Sequence, residues 1–197
     1  VGSNTINGVA ELHTKLLRES LARDFNDYFP ERFTNITNGI TQRRWLLRAN
    51  PALSDLLKET IGEGWITDLK QLEKLKSFAK DPDFLEKFKR AKRHAKHRLR
   101  SQCVKKYGID LNPDSIFDIQ VKRIHEYKRQ LLNVMRIVHL YDEVRNGKKI
   151  HPHTFLLGGK AAPGYFMAKL IIKLICNVST VINRDPSVNE MMKVYFL

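Results

Sequence analysis

No stretch of about twenty apolar residues, the length a membrane-spanning helix needs, occurs in this chain. The longest apolar-looking run, 166–178, is interrupted by Lys169, Lys173 and Asn177, so no plain transmembrane span is expected. The opening VGSNTINGVAELH lacks a basic region followed by an apolar one and is not expected to act as a secretory signal. Cysteine is scarce. Cys103 and Cys176 stand far apart, form no CxxC pair and have no close cluster of histidines, so neither zinc nor a disulfide framework is expected. Both read as free thiols in a reducing cytoplasm. Repeats and low-complexity tails are missing too. With 42% hydrophobic and 28% charged residues, the 197-residue chain has material for a sizeable core and no bias towards disorder.

Acidic residues are few: 21 Asp and Glu against 35 Lys and Arg, a formal charge of +14. The obvious partner for such a charge is a nucleic acid. The distribution weakens that inference. Much of the excess lies in KFKRAKRHAKHRLRSQCVKK, from Lys87 to Lys106, which has helical spacing and little aromatic interleaving beyond Phe88 and the following Tyr107. A solvated helix face, or one meeting an acidic neighbour, explains the run as well. No nucleic-acid or membrane partner is expected.

Along the chain, Asn4 to Ala22 opens with NTING and continues with a helical pattern that places Val9, Leu12, Leu16 and Leu17 near one face. Phe25, Tyr28, Phe29 and Phe33 read as an aromatic linker around Pro30. Asn38-Gly39 is a turn signal and a plausible domain boundary. Asn50-Pro51 reads as a helix start, with a stop near Gly62 or Gly64. Trp65 to Ala79 reads as helical, with Leu69, Leu72, Leu75 and Phe78 spaced by three. Asp81-Pro82 opens a further helix that runs through the basic segment to Gly108.

The pattern then changes. Ile116, Phe117, Ile119 and Val121 form a β-favouring run, followed by a helix from His125 or Glu126 to Arg145 with an expected buried stripe of Leu131, Met135, Val138, Tyr141 and Val144. Thr154 to Leu157 reads as a second strand, GGKAAPG as a glycine-rich turn, and Tyr165 to Cys176 as a helix burying Phe166, Ile171, Ile172 and Ile175. Val194 to Leu197 reads as a third strand. This rhythm predicts an α/β fold with a parallel sheet, and its stop at the third strand suggests a piece of a longer domain.

Ligands of open parallel sheets collect beyond the carboxyl ends of the strands. Lys122 and Arg123 leave the first strand there, and Lys128 is expected one turn into the next helix. A phosphate site, or two phosphates close together, fits this set. A charged helix face with a satisfied histidine fits it equally. GGKAAPG matches neither GxxxxGK[ST] nor GxGxxG, and its glycines also suit a plain tight passage from strand to helix. For Asn38, Trp45 and His13 the default readings are structural, namely a turn, core, and a satisfied or exposed histidine, and for Arg44 too a functional role is not the default.

Taken together, INGVAELHT (6–14), FTNITNGITQRRWL (33–46), DIQVKRIHEYKRQLLN (118–133) and GGKAAPGYFMAKLIIKLI (158–175) resemble consecutive blocks of the α-glucan phosphorylases, which include glycogen, starch and maltodextrin phosphorylases. The resemblance implies large cytoplasmic homodimers of two Rossmann-like domains in a GT-B-like arrangement. It implies pyridoxal 5'-phosphate as cofactor and phosphorolysis of a terminal α-1,4-linked glucose, with retention, to α-D-glucose 1-phosphate. Residues 1–38 would close the N-terminal glucan-binding domain, and 39–197 would begin the C-terminal cofactor-binding domain. A sugar-nucleotide-dependent glycosyltransferase, a basic nucleic-acid-binding module and a non-catalytic fragment remain the alternatives.

The resemblance also implies roles. Lys122 would lie near the cofactor phosphate, Arg123 would grip substrate phosphate, and Lys128 would sit between the two. Tyr127 would be an active-site neighbour and His125 a conformation-holding one. Val9, His13 and Asn38 would belong to the glucose pocket, Arg44 and Trp45 would pack by the cofactor, and Lys160 would lie on its side of the cleft. In the family the phosphate of the cofactor acts as a proton relay beside substrate phosphate, which protonates the leaving oxygen and then attacks the same face of the sugar. Two departures stand out. Gln42 occupies a position where the family commonly has proline, a change expected to affect turn rigidity. The family's Schiff-base lysine and its glycine-rich phosphate loop fall outside 1–197, so these residues alone are expected neither to retain the cofactor covalently nor to release glucose 1-phosphate.

Overall fold

Residues 2–197 are described by a computed structural model, which divides into two compact units, one up to Phe88 and one from Lys89 to Leu197.

In the first unit, β1 (Ile6–Gly8) and β2 (Phe33–Asn35) pair in parallel, Ile6 opposite Phe33. Between them run α1 (Glu11–Leu16), a π-helical turn (Leu17–Leu21), α2 (Arg23–Tyr28) and a 3-10 turn (Pro30–Arg32). The strand β1 lies within NTING and the helical pattern follows it, whereas the aromatic linker is largely helical. Val9, Leu12 and Leu16 are exposed rather than buried along one face. Thr14 is the buried residue of α1, and its Oγ1 donates to Asn35 Oδ1 at 2.8 Å. Residues 36–40 have no regular structure and Gly39 has no positive φ, so Asn38-Gly39 does not form the expected turn.

After a π-helical segment, Arg43–Arg48, comes α3 (Pro51–Ile61). Asn50 caps it by accepting the Leu53 N–H, and proline suits its first position, as the sequence indicates. Trp65 to Ala79 is not an α-helix. It holds two 3-10 segments, Gly64–Ile66 and Leu69–Phe78. Side chains three apart eclipse in a 3-10 helix, which is why Leu69, Leu72, Leu75 and Phe78 recur at that spacing. Trp65, 0% exposed, is the core tryptophan of this unit. Gln42 does more than loosen a turn: it is buried, and its Nε2 donates to the carbonyls of Trp65 (3.3 Å) and Ile66 (2.9 Å).

The helix α4 (Pro82–Tyr107) begins in the first unit, where Asp81 accepts the N–H groups of Asp83 and Phe84, and ends at Gly108 with φ 67°. Several cations of the basic run are already partnered: Lys87 with Glu59, Arg93 with Asp114, Arg100 with Asp110. Lys96 donates to Ser115 O at 2.7 Å, and burial lowers its pKa. The acidic neighbours of this helix face thus include residues of the chain itself.

The second unit is a three-layered sandwich. Its parallel sheet has the order β3 (Ile116–Val121), β4 (His153–Gly158), β5 (Met192–Phe196), in register Val121 to Gly158 and Leu157 to Phe196. Alternate side chains face opposite layers. Phe155 and Leu157 join α5 (Gln130–Arg145) and α6 (Phe166–Arg184), whereas Leu156 meets Cys103 of α4 and Leu111. Both cysteines are free, and burial raises the pKa of the Cys103 thiol.

The expected stripe of α5 is displaced. Its buried residues are Gln130, Val134, Ile137 and Val144, with Tyr141 partly buried, while Leu131, Met135 and Val138 are exposed. Apolar residues occupy both rows, so periodicity alone does not choose between them. In α6, Ile171 and Ile175 are buried as expected, together with Ala168 and Ile182, and Ile172 is partly buried, but Phe166 is exposed rather than buried. By length and composition α6 also passes as a membrane-crossing helix despite its lysines; its buried residues pack as core of this unit.

The far ends of α5 and α6 are tied by Asp185. Its carboxylate accepts from Ser187 and, at 2.6 Å, from the Tyr141 hydroxyl, with Arg145 at 3.6 Å. The Ser187 and Tyr141 bonds hold its pKa at about 2, below the ordinary 3.8. A depressed carboxylate pKa stabilises the fold above the ordinary value, and that contribution is lost as pH falls through the folded one. Asp185→Asn is therefore expected to lose less stability than the native chain on acidification from 3.8 to about 2, read as urea midpoint against pH.

Candidate functional site

β3 and β4 continue to interact past their ends. Lys122 N donates to Gly158 O (3.0 Å) and Ile124 N to Lys160 O (3.1 Å), which brings the two carboxyl-terminal exits together. Gly159 lies directly on this junction. A Cβ there would sit 2.0 Å from the Lys122 carbonyl oxygen. The glycine of GGKAAPG is thus needed for close backbone approach, and the approach carries Lys160 to the exit that bears Lys122 and Arg123.

Ile124 is buried and anchors the loop, leaving Lys122, Arg123 and His125 exposed beside it. Residues Glu126–Lys128 then form a 3-10 turn, Arg129 takes a left-handed conformation at φ 60°, and α5 starts only at Gln130. Lys128 consequently lies on the turn before the helix, not one turn into it. A non-glycine residue at positive φ costs about 1–2 kcal/mol, so neighbouring contacts must hold it.

Those contacts are present. His125 Nδ1 accepts the Tyr127 N–H at 3.5 Å, and its ring lies 4.4 Å from Tyr127 and 5.0 Å from Tyr165. The Tyr165 hydroxyl donates to Glu126 Oε2 at 2.6 Å and accepts Glu126 N–H at 3.2 Å. The carboxylate bond raises the phenol pKa. Lys128 Nζ stands 5.6 Å from the Tyr127 ring centre. Gln120 and Gln130 bond the carbonyls of Lys128 and Arg123, and Asn133 bonds Gln120. Sequence reasoning assigns no role to Gln120, Glu126, Gln130, Asn133 or Tyr165. The available signal is a glutamine on the same helical row as Val134 and Ile137.

Among the described residues, Lys122, Arg123, Lys128 and Lys160 have no carboxylate within ion-pair distance, unlike the paired cations of α4. The one acidic side chain inside the turn, Glu126, is occupied by Tyr165. A set made only of cationic donors suits a phosphate dianion or phosphate monoester.

The first unit holds the other expected residues. Val9 and His13 line one pocket of about 260 Å³ with Leu16, Leu17 and Leu21. Asn38 N donates to Val9 O at 3.0 Å, so Asn38 lies beside that lining. Arg44 and Trp45 are on the π-helical segment, and no hydrogen bond among the described residues joins them to Val9, His13 or Asn38. Trp45 is 69% exposed, which overturns its default reading as core and leaves a flat apolar face open.

Comparison with known proteins then decides the family. The family model for carbohydrate phosphorylases matches residues 1–197. The chain belongs to the carbohydrate phosphorylase family. It is 50% identical over 197 residues to the glycogen phosphorylase of Chlamydia trachomatis, covering all of this chain and 24% of that protein. It is 48% identical over 199 residues to the glycogen phosphorylase of Bacillus subtilis, again over the whole chain and 25% of the relative. The brain form of Homo sapiens is 47% identical over 199 residues, with the whole chain and 24% of the relative covered. This phosphorylase chain therefore spans about a quarter of the length of the curated relatives it matches.

Proposed function

We propose that this chain supplies the phosphate side, and part of the sugar side, of an α-glucan phosphorylase centre. The observation that carries the reading is the set of unpaired cations formed by Lys122 and Arg123 at the joined exits of β3 and β4 and Lys128 on the 3-10 turn that follows, in a chain of the phosphorylase family. The reaction is phosphorolysis of a terminal α-1,4-linked glucose to α-D-glucose 1-phosphate.

Arg123 grips substrate phosphate through its planar fork of donors. Lys128 would serve both substrate phosphate and the phosphate of pyridoxal 5'-phosphate, and Lys122 would hold the latter. Two phosphate dianions would otherwise repel, and mobile cations between them lower that cost. Tyr127 borders the same site, and His125 braces the turn. Val9, His13 and Asn38 meet glucose. The donor chemistry of Lys122 and Lys128 suits the phosphate of such a cofactor; the roles of Arg44 and Trp45 beside it rest on the family alone. When bound, that cofactor supplies acid–base chemistry through its phosphate. Residues 1–38 would then end the glucan-binding domain and 39–197 begin the cofactor-binding domain of a cytoplasmic homodimer with two Rossmann-like halves.

The enzyme that contains these residues is expected to release α-D-glucose 1-phosphate from maltooligosaccharide at a rate that saturates with inorganic phosphate. Turnover that requires a nucleotide sugar and ignores phosphate would contradict the reading.

A further inference from the structure

Three cations of the proposed phosphate site ride on a chain reversal that has no regular hydrogen-bond ladder of its own. Between β3 and α5 the backbone passes through a loop, a 3-10 turn and the left-handed Arg129. Side-chain amides take over part of the ladder's task. Gln130 Nε2 donates to Arg123 O at 3.2 Å, while its Oε1 accepts the His125 N–H at 3.4 Å. One amide offers donors and an acceptor together, so this single side chain fixes the loop on both sides of Ile124. Gln120 Nε2 donates to Lys128 O at 3.3 Å, and Asn133 Nδ2 donates to Gln120 Oε1 at 2.9 Å. The donors stand on β3 and α5, elements already fixed by the sheet and its core.

Gln130 is 1% exposed and shares its helical row with Val134 and Ile137. Packing alone would favour an apolar residue there, because a buried amide is unfavourable unless bonded. Its bonds go to the backbone of the loop that presents Arg123.

We propose that Gln130 is a positioning residue for Arg123, setting the angle at which the guanidinium meets phosphate. The inference rests on the phosphate reading given above. Gln130→Met, similar in length but unable to make either bond, is to be made in the full-length enzyme that contains this chain. The KM for inorganic phosphate is expected to rise roughly tenfold, with KM for maltooligosaccharide and the thermal midpoint close to the parent's. A lower midpoint and lower kcat with both KM values unchanged would show a merely structural role and overturn the proposal. Should Gln130→Met fail to fold, Gln130→Glu keeps the length and the acceptor but, when ionised, loses the donor to Arg123 O. The same rise in phosphate KM is expected, and its absence in either folded variant overturns the role. Arg123→Ala in the same background separates two failures. If it too leaves phosphate KM unchanged, the phosphate reading falls as well; if it raises phosphate KM while the Gln130 variants do not, only the positioning role falls.

Discussion

Replacing Arg123 with alanine in the full-length enzyme is expected to lower kcat/KM for inorganic phosphate by about 10²–10³-fold, the usual loss for a charged donor aimed at reacting oxygens. The KM for maltooligosaccharide should change by no more than about threefold, because in the proposed role uniform sugar binding does not pass through this side chain. Arg123→Lys sharpens the expectation. It keeps the charge and removes the planar fork, so an intermediate loss of roughly tenfold is expected. The basis is local: Arg123 is exposed, follows the β3 exit directly and has no carboxylate partner among the described residues, while Ile124 and Gln130 hold its backbone. Initial rates at varied phosphate and fixed saturating glucan measure the effect. Equal damage to both substrates would indicate a folding defect, and no damage to phosphate use would remove Arg123 from the site.

The second large effect is expected at Gly159. A Cβ on this residue would lie 2.0 Å from Lys122 O and 2.9 Å from Lys122 C, both backbone atoms at the end of β3. A flexible side chain could swing aside; a strand exit cannot do so without moving the cations beyond it. Gly159→Ala should therefore cost about 3 kcal/mol or more in stability and also raise phosphate KM, since Lys122 and Arg123 shift with the displaced carbonyl. Gly164, in the same turn, provides the control. A Cβ there would meet nothing within 4 Å, so Gly164→Ala should stay within about 0.5 kcal/mol. Urea midpoints of the two variants, read beside their phosphate KM values, decide the matter. Equal midpoints would show that the β3–β4 junction tolerates the methyl group.

The contrast between these glycines shows what a sequence can and cannot specify. GGKAAPG announces a tight passage, but only the parallel register of Val121 with Gly158 shows which glycine lies under a neighbouring carbonyl. Much of the second unit is legible directly. Its strands have short β-branched and aromatic runs, and α4 opens at an Asp-Pro pair and closes at a glycine. The buried row of α5 is not legible, because two adjacent rows are both apolar and the sheet decides which one is covered. Arg129 gives no sign of its left-handed conformation, so the helical pattern starts too early and Lys128 is displaced from turn to helix. The first unit is harder still. Its strands are only three residues each, and its π-helical and 3-10 segments follow periods that a search for α-helices reads as one amphipathic pattern.

At the candidate site, Lys122, Arg123 and Lys128 are visible through residue type and position after a strand. Their support is not. Gln130 looks like an ordinary polar residue near a helix start, and Glu126 and Tyr165 are 39 residues apart in the chain. Only the fold brings these groups together.

The most direct measurement is a crystal structure of the full-length enzyme with inorganic phosphate and glucan bound. The expected result places a phosphate ion within hydrogen-bond distance of the Arg123 guanidinium and the Lys128 ammonium, beside the joined exits of β3 and β4. Phosphate bound in the catalytic cleft away from both side chains would contradict the assignment.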